Sequence, residues 1–204
     1  MLLIIFVMVA IPAIGGWYLV RGKNRSVSRL QGQVNEDVRK RLESIASEVG
    51  GTITPEPALI LPSGKVTLFA SKAPESFVID TAKFVAPTPA LFPMTIVRVE
   101  DAKKVVSSKG LIALKSAESK DQQTHVFFAS DEPFGRRCME PELVDALRSL
   151  DRKVRGRCRV MMAKGTLAIV LARGLAEPEE LVAFCQGCAA VASRIADRSR
   201  RVTG

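Results

Sequence analysis

The sequence is poor in histidine and in polar ring side chains, with one His, one Trp and one Tyr among 204 residues. The single histidine, His125, excludes any metal or catalytic site built on two histidines. A catalytic triad can use one histidine, but the Gly-x-Ser-x-Gly turn that often carries its nucleophile is absent. Because His125 is followed by the apolar run Val126-Phe127-Phe128, we predict a structural histidine within a strand.

A phosphate-binding loop of the Walker type is also missing. The stretch Pro62-Ser63-Gly64-Lys65 resembles the end of such a loop, but Leu59 replaces the earlier glycine and Val66 replaces the final Ser or Thr. Carboxylates that neighbour each other in the sequence, such as Asp131 and Glu132, point apart or cap a helix, and nothing assigns acid and base roles to them. We therefore expect no cofactor, and the lack of a catalytic set argues against an enzyme without deciding the question.

The first twenty residues, Met1–Val20, contain no charged side chain. As a helix, about 20 apolar residues just suffice to cross about 30 Å of hydrocarbon. Basic residues follow this run and none precedes it, so the N-terminus is predicted outside and residues 21–204 in the cytoplasm. The predicted location is the inner cell membrane with a single pass, and the predicted membrane-interface residues are Trp17, Tyr18, Arg21, Lys23 and Arg25.

Two other interpretations of Met1–Val20 stay open. A cleaved signal peptide normally begins with basic residues, which are missing here, although Ala13-Ile14-Gly15 weakly resembles a cleavage site. A buried helix of a soluble protein rarely runs for about 20 residues without a polar side chain. The membrane anchor is the interpretation that the pattern favours.

The rest of the chain divides into a basic linker, 21–33, and one predicted cytoplasmic domain, 34–204. Helical spacing of apolar residues predicts helices at 34–49, 141–154 and 178–199. Alternation and turn residues predict strands at 58–61, 66–70, 76–79, 95–100, 111–114, 125–129, 158–163 and 167–171, with 86–89 as a loop. The predicted fold class is α+β, with an N-terminal single transmembrane helix, a mostly antiparallel sheet and about three helices.

The net charge of +9 lies entirely on residues 21–204, because the apolar run carries none. Six arginines form two regularly spaced sets, one where a strand begins and one along the last helix: Arg155, Arg157, Arg159, Arg194, Arg198 and Arg201. We predict that they form a surface for anionic lipid headgroups or a protein partner, with an ordinary solvated surface as the alternative. Nucleic acid is not expected, since no aromatic residue is interleaved with the basic runs.

The four cysteines are Cys138, Cys158, Cys185 and Cys188. The last two form a Cys-x-x-Cys pattern, but well inside a predicted helix and on its apolar stripe. Since cysteine packs as a small hydrophobe, we predict that both belong to the core. A zinc site that also recruits Cys138 and Cys158 and a redox role for Cys185 and Cys188 are the two alternatives.

Taken together, these features predict a single-pass, membrane-anchored and non-enzymatic interaction domain. Its layout is common among accessory subunits of membrane complexes, which is an analogy of layout and implies no activity. The predicted partners are the bilayer, anionic headgroups and a protein in the membrane or at its cytoplasmic face. The alternative from another class is a cytoplasmic thiol, redox or zinc protein that uses Cys185 and Cys188.

Overall fold

The computed structural model describes residues 34–73, 76–89, 92–105, 110–114, 123–173, 175 and 177–200. The predicted anchor, 1–20, and the predicted linker, 21–33, lie outside these residues. So do the five predicted interface residues, Trp17, Tyr18, Arg21, Lys23 and Arg25. The predictions made for them therefore stay untested by the structure.

Within the described residues, nine strands form one antiparallel sheet. They are β1 (Thr52–Ile53), β2 (Ala58–Leu61), β3 (Gly64–Ala73), β4 (Ser76–Pro87), β5 (Met94–Arg98), β6 (Ile112–Leu114), β7 (His125–Ala129), β8 (Cys158–Ala163) and β9 (Thr166–Leu171). Their order in the sheet is β1-β2-β3-β4-β9-β8-β5-β7-β6. The β8–β9 hairpin therefore lies between two groups of strands that precede it in the chain, and it pairs with β4 on one side and β5 on the other.

Four α-helices accompany the sheet in the described part of the chain. They are α1 (34–46), α2 (Glu132–Cys138), α3 (Pro141–Lys153) and α4 (Pro178–Arg200), and a 3-10 helix covers Val99–Lys104. Proline at the first or second position opens α2 and α3, where its missing N–H is not needed. The Asp131 side chain caps α2 by accepting a hydrogen bond from the Phe134 amide at 2.7 Å.

The main core lies between one face of the sheet and the four helices. Alternate residues of each strand point into it, as the period of two requires, for example Val160 and Met162 of β8 and Ile169 of β9. Helices α3 and α4 approach closely, because a Cβ at Gly187 would lie 2.6 Å from the Leu150 side chain. Glycine at this position therefore permits the contact between the two helices.

The opposite face of the sheet is covered far less in the described residues. Val97, Val105 and Phe128 form a small second cluster there, beside the 3-10 helix. Elsewhere on this face Met161 and Val170 are half-buried, and Phe69 is 52 % exposed. The two faces thus differ strongly in how much apolar surface is buried.

The predicted fold class needs correction. The α+β class with an antiparallel sheet is confirmed, but the described residues form four α-helices rather than about three. The transmembrane helix that formed part of the predicted fold class is not among the described helices, none of which is both long and apolar enough to cross a membrane. The extra helix, α2, has only seven residues, which is too short to produce a recognisable apolar period.

Two local predictions also change. The segment 86–89, predicted as a loop, is partly strand, since Ala86 and Pro87 pair with β9. Pro87 is tolerated because it is the last residue of β4 and extends beyond the described pairing of β4 with β3, which ends at Val85. The predicted strand 95–100 ends at Arg98, and the 3-10 helix begins at Val99.

Candidate functional site

An arginine-rich cleft lies where α3 ends and the chain turns into β8. It has a volume of about 430 Å³. Its lining residues are Arg98, Thr124, Arg148, Asp151, Arg152, Arg155, Gly156 and Arg157. We call this site the arginine cleft. Five of its eight lining residues are arginines, whereas only one, Asp151, carries a negative charge.

The turn after α3 has the hydrogen bonds of a Schellman motif. The Gly156 amide donates to the Asp151 carbonyl at 3.1 Å, and the Arg155 amide donates to the Arg152 carbonyl at 3.3 Å. Arg155 takes the left-handed position with φ of 45°, where glycine is usual. The turn packs tightly, since a Cβ at Gly156 would lie 2.5 Å from Leu171 Cδ1. The motif directs Arg155 to the cleft despite an unfavourable backbone conformation.

A buried polar cluster supports the floor of the cleft. Asp151 is 7 % exposed, and its Oδ1 accepts a hydrogen bond from the Cys158 amide at 2.9 Å. Its Oδ2 lies 3.2 Å from His125 Nε2 and 3.5 Å from Arg98 Nη1. Neither contact has good hydrogen-bond angles, so Oδ2 is held by ionic and dipolar attraction. Asp151 thereby fixes Arg98 and the start of β8 relative to α3.

A chain of hydrogen bonds connects this cluster to the wall of the cleft. Arg148 Nε donates to Thr124 Oγ1 at 3.0 Å, and Thr124 Oγ1 lies 3.0 Å from His125 Nδ1. Because the Thr124 oxygen already accepts from Arg148, its hydrogen is available to His125 Nδ1. In the neutral tautomer with its hydrogen on Nε2, the imidazole accepts from Thr124 at Nδ1 and turns its N–H towards Asp151. The predicted structural role of His125 agrees with its burial, since only 3 % of it is exposed.

The five arginines of the cleft differ in their ionic partners. Three have a carboxylate within 4.0 Å, namely Arg98 (Asp151 and Glu100), Arg148 (Asp145) and Arg157 (Asp101). Arg152 and Arg155 are exposed and form no ion pair with any described residue. Exposed ion pairs are weak, so the arginines paired with Asp145 and Asp101 can also exchange partners. Arg152 and Arg155 are therefore the uncompensated positive charges of the site.

The positive field reaches the edge of the 3-10 helix. The pKa of Glu100 is lowered, first by a hydrogen bond from the backbone and then by the charges of Arg98 and Arg157, against an opposing effect of desolvation. The carboxylate is therefore stabilised as an anion beside the cleft.

A second opening, which we call the sheet groove, adjoins the arginine cleft. It has a volume of about 320 Å³ and lies on the less covered face of the sheet. Its lining residues are Val97, Arg98, Asp101, Arg157, Cys158, Arg159, Met161, Val170 and Ala172. Arg98 and Arg157 line both openings and form their common wall.

The structure separates the six arginines that the sequence groups together. Arg155 and Arg157 line the cleft, and Arg159 lines the sheet groove. β8 begins at Cys158, as predicted, but Arg155 lies in the turn before it with a φ of 45°, so the three arginines do not project from one extended segment.

The second set of arginines, on α4, does not form one exposed face. Arg198 is buried and pairs with Glu140 and Glu142, the latter at 3.0 Å. Arg194 is exposed, and Arg201 lies outside the described residues. Arg198 is therefore engaged in holding α4 to the start of α3 and is not available as a ligand contact.

All four cysteines are buried, and none forms a disulfide. Burial raises the pKa of Cys138 and of Cys185 to about 12, and it raises the pKa of Cys158 and Cys188 as well. The thiolate needed for redox chemistry is thus disfavoured at neutral pH. Within the described segments, no three His, Cys, Asp or Glu side chains are placed to share a metal ion.

Asp151, His125 and Arg98 were not predicted as site residues, although the sequence contains a signal for each. Asp151 lies four residues after Leu147, on the buried stripe of α3. Arg98 and His125 occupy inward positions of β5 and β7 and are paired in register. A polar residue at each of three core-facing positions indicates a buried polar cluster.

Comparisons of the chain with protein-family models, with curated proteins and with solved structures give no match.

Proposed function

We propose that the protein is an interaction domain that binds a phosphate-bearing anion in the arginine cleft. The observation that carries the proposal is a cleft of about 430 Å³ with five arginines, two of which have no carboxylate partner among the described residues. Guanidinium groups donate two parallel hydrogen bonds to phosphate oxygens, which makes arginine the preferred side chain for such ligands. The volume lies within the range of small-molecule sites.

The backbone of Arg155 gives independent support. A side chain other than glycine in the left-handed region costs about 1–2 kcal/mol. Residues with such unfavourable backbone conformations cluster at functional sites, where the placement of the side chain is part of the function. Arg155 is placed in this way at the rim of the cleft and contacts no carboxylate in the described residues.

Binding is favoured over catalysis by the position of the one histidine. His125 is buried behind Thr124 and does not line the cleft, so it is not in place to exchange a proton with a bound ligand. The alternative thiol or zinc function has no comparable observation in its favour, since the thiols are buried and their pKa values are raised. The predicted protein partner stays a prediction.

The decisive variant is Arg155→Gly, which removes the guanidinium and relieves the backbone. We expect the full chain to bind methyl phosphate at low salt and the variant to bind it about tenfold more weakly, since one charge-assisted hydrogen bond contributes about 1.5 kcal/mol. Its free energy of unfolding should stay equal or rise by up to about 1 kcal/mol. Calorimetric titration and urea unfolding measure the two quantities.

The matched control is Lys164→Gly. Lys164 also has a positive φ, 50°, and also carries a positive charge, but it lies in the β8–β9 turn away from the cleft. The Lys164→Gly variant should bind methyl phosphate with unchanged affinity. No binding to the unaltered chain, or equal losses in both variants, would show that the cleft is not a phosphate site.

The phosphate group can belong to a lipid headgroup or to a soluble molecule, and two probes distinguish them. Phosphatidylcholine vesicles with and without phosphatidic acid test a lipid headgroup, and methyl phosphate tests a soluble ligand. Sedimentation with the acidic vesicles that depends on Arg155 would assign a lipid source. Binding of methyl phosphate without vesicle binding would assign a soluble one. Either interaction should weaken as salt screens the charges.

A further inference from the structure

We infer that the ligand of the arginine cleft carries an apolar substituent that lies in the adjoining sheet groove. The inference rests on the proposed function, because it concerns the rest of the molecule whose phosphate the cleft binds. It commits the ligand to one chemical class, a phosphate monoester with a short hydrocarbon part.

The sheet groove offers apolar side chains to a ligand. Val97, Met161, Val170 and Ala172 provide apolar side chains on the open face of the sheet. Val97 is buried beside the 3-10 helix, whose Asp101 lines the groove, while Met161 and Val170 are half-buried and no described α-helix covers them. Hydrocarbon placed here would remove apolar surface from water on both partners, which is favourable.

The arginine cleft and the sheet groove share a wall. Arg98 and Arg157 line both openings, so a ligand whose phosphate contacts these arginines has its next atoms at the mouth of the groove. The Arg157 side chain is 57 % exposed, which leaves it free to shift beside a bound chain. Positive charge on one side and apolar side chains on the other match an anion with a hydrocarbon substituent.

The test is a series of alkyl phosphates, from methyl to hexyl phosphate, titrated into the full chain. Each methylene that enters the groove should raise the affinity by up to about fourfold, which corresponds to about 0.8 kcal/mol for a fully buried CH₂. The gain should stop once the groove is filled. A flat series would overturn the inference.

A matched pair of variants locates the hydrocarbon. Val170→Thr changes the groove wall, whereas Val85→Thr changes a half-buried valine on the same sheet face that does not line the groove. We expect Val170→Thr to reduce the gain per methylene and leave methyl phosphate affinity unchanged. Val85→Thr should behave like the unaltered chain. An undiminished gain in Val170→Thr would place the hydrocarbon elsewhere and contradict the inference.

The two proposals fail in different ways. If methyl phosphate does not bind, the proposed function fails and the inference fails with it. If methyl phosphate binds in a manner that depends on Arg155, but chain length has no effect, only the inference is overturned.

Discussion

The two ends of α3 carry opposite charges and use them differently. At its start, Glu140 and Glu142 face the buried Arg198 of α4. At its end, arginines outnumber carboxylates and face the arginine cleft. Both arrangements agree with the helix dipole, which favours negative charge at the N-terminus and positive charge at the C-terminus.

The difference between the ends is whether the charges find a partner within the fold. Arg198 is 9 % exposed and contacts two carboxylates, so its charge stabilises the packing of two helices. Arg152 and Arg155 are exposed and unpaired among the described residues. The same side chain therefore serves stability at one end of the helix and is left available for binding at the other.

The largest effect is expected from Asp151→Ala at the cleft end. The substitution removes the acceptor of the Cys158 amide and leaves Arg98 without its buried carboxylate. Breaking a buried charge pair from one side costs about 3–5 kcal/mol. Urea unfolding should show this loss, and methyl phosphate binding should weaken as well, because Arg98 loses its position.

The control for Asp151→Ala is Asp145→Ala on the same helix. Asp145 is exposed and contacts Arg148 at 3.4 Å. Its removal should change the free energy of unfolding by less than about 1 kcal/mol. Similar losses from both substitutions would contradict the central role assigned to Asp151.

A smaller effect is expected from Arg198→Gln at the other end. The variant loses two charge-assisted contacts, to Glu140 and Glu142, but these carboxylates are partly exposed and can be hydrated. We expect a loss of about 1–3 kcal/mol in the free energy of unfolding with unchanged methyl phosphate affinity. Arg194→Gln, on the exposed side of α4, should change neither quantity. Weaker binding in Arg198→Gln would show that the two ends are coupled.

The smallest effect concerns the buried thiols as pH rises. Burial raises the pKa of Cys138 from 9.0 to about 12, so above pH 9 the unfolded chain ionises this thiol while the folded chain does not. The contribution of the protonated Cys138 thiol to the free energy of unfolding is thus fully present below pH 9 and is lost as pH rises towards 12. The loss is up to about 1.4 kcal/mol per pH unit for each such thiol.

Cys138→Ala isolates the contribution of one thiol. Between pH 8 and pH 10, the variant should lose about 1 kcal/mol less than the unaltered chain in urea unfolding. Identical losses would mean that the Cys138 thiol ionises equally in both states.

The parts of the fold that the sequence predicts best are those with long, regular patterns. The stripe of Leu143, Leu147 and Leu150 predicts α3, and the turn at Lys164-Gly165 predicts the β8–β9 hairpin. The end of β4, at Ala86 and Pro87, was predicted as a loop because proline is normally excluded from a strand interior. Strand order depends on contacts distant in the chain, which local patterns do not encode.

The candidate site was predicted only in part, for a related reason. Arg155 and Arg157 are visible as a basic run, but their separation from Arg198 depends on how α4 packs on α3. Asp151 is one of several polar residues on an amphipathic helix and did not enter the predicted site. Its buried position follows from its spacing to Leu147, and its partners come from two strands that local periodicity does not relate to α3.

The position of the β8–β9 hairpin in the sheet has a consequence for synthesis. The strands on either side of it, β4 and β5, are made first, and about 80 residues separate the end of β4 from the start of β9. At about 5–20 residues per second, the hairpin follows β4 by on the order of ten seconds. Until then, both neighbouring strands present unpaired edges, which pair readily with other chains. The last third of the polypeptide thus joins two earlier groups of strands and closes the edges through which a nascent chain would aggregate.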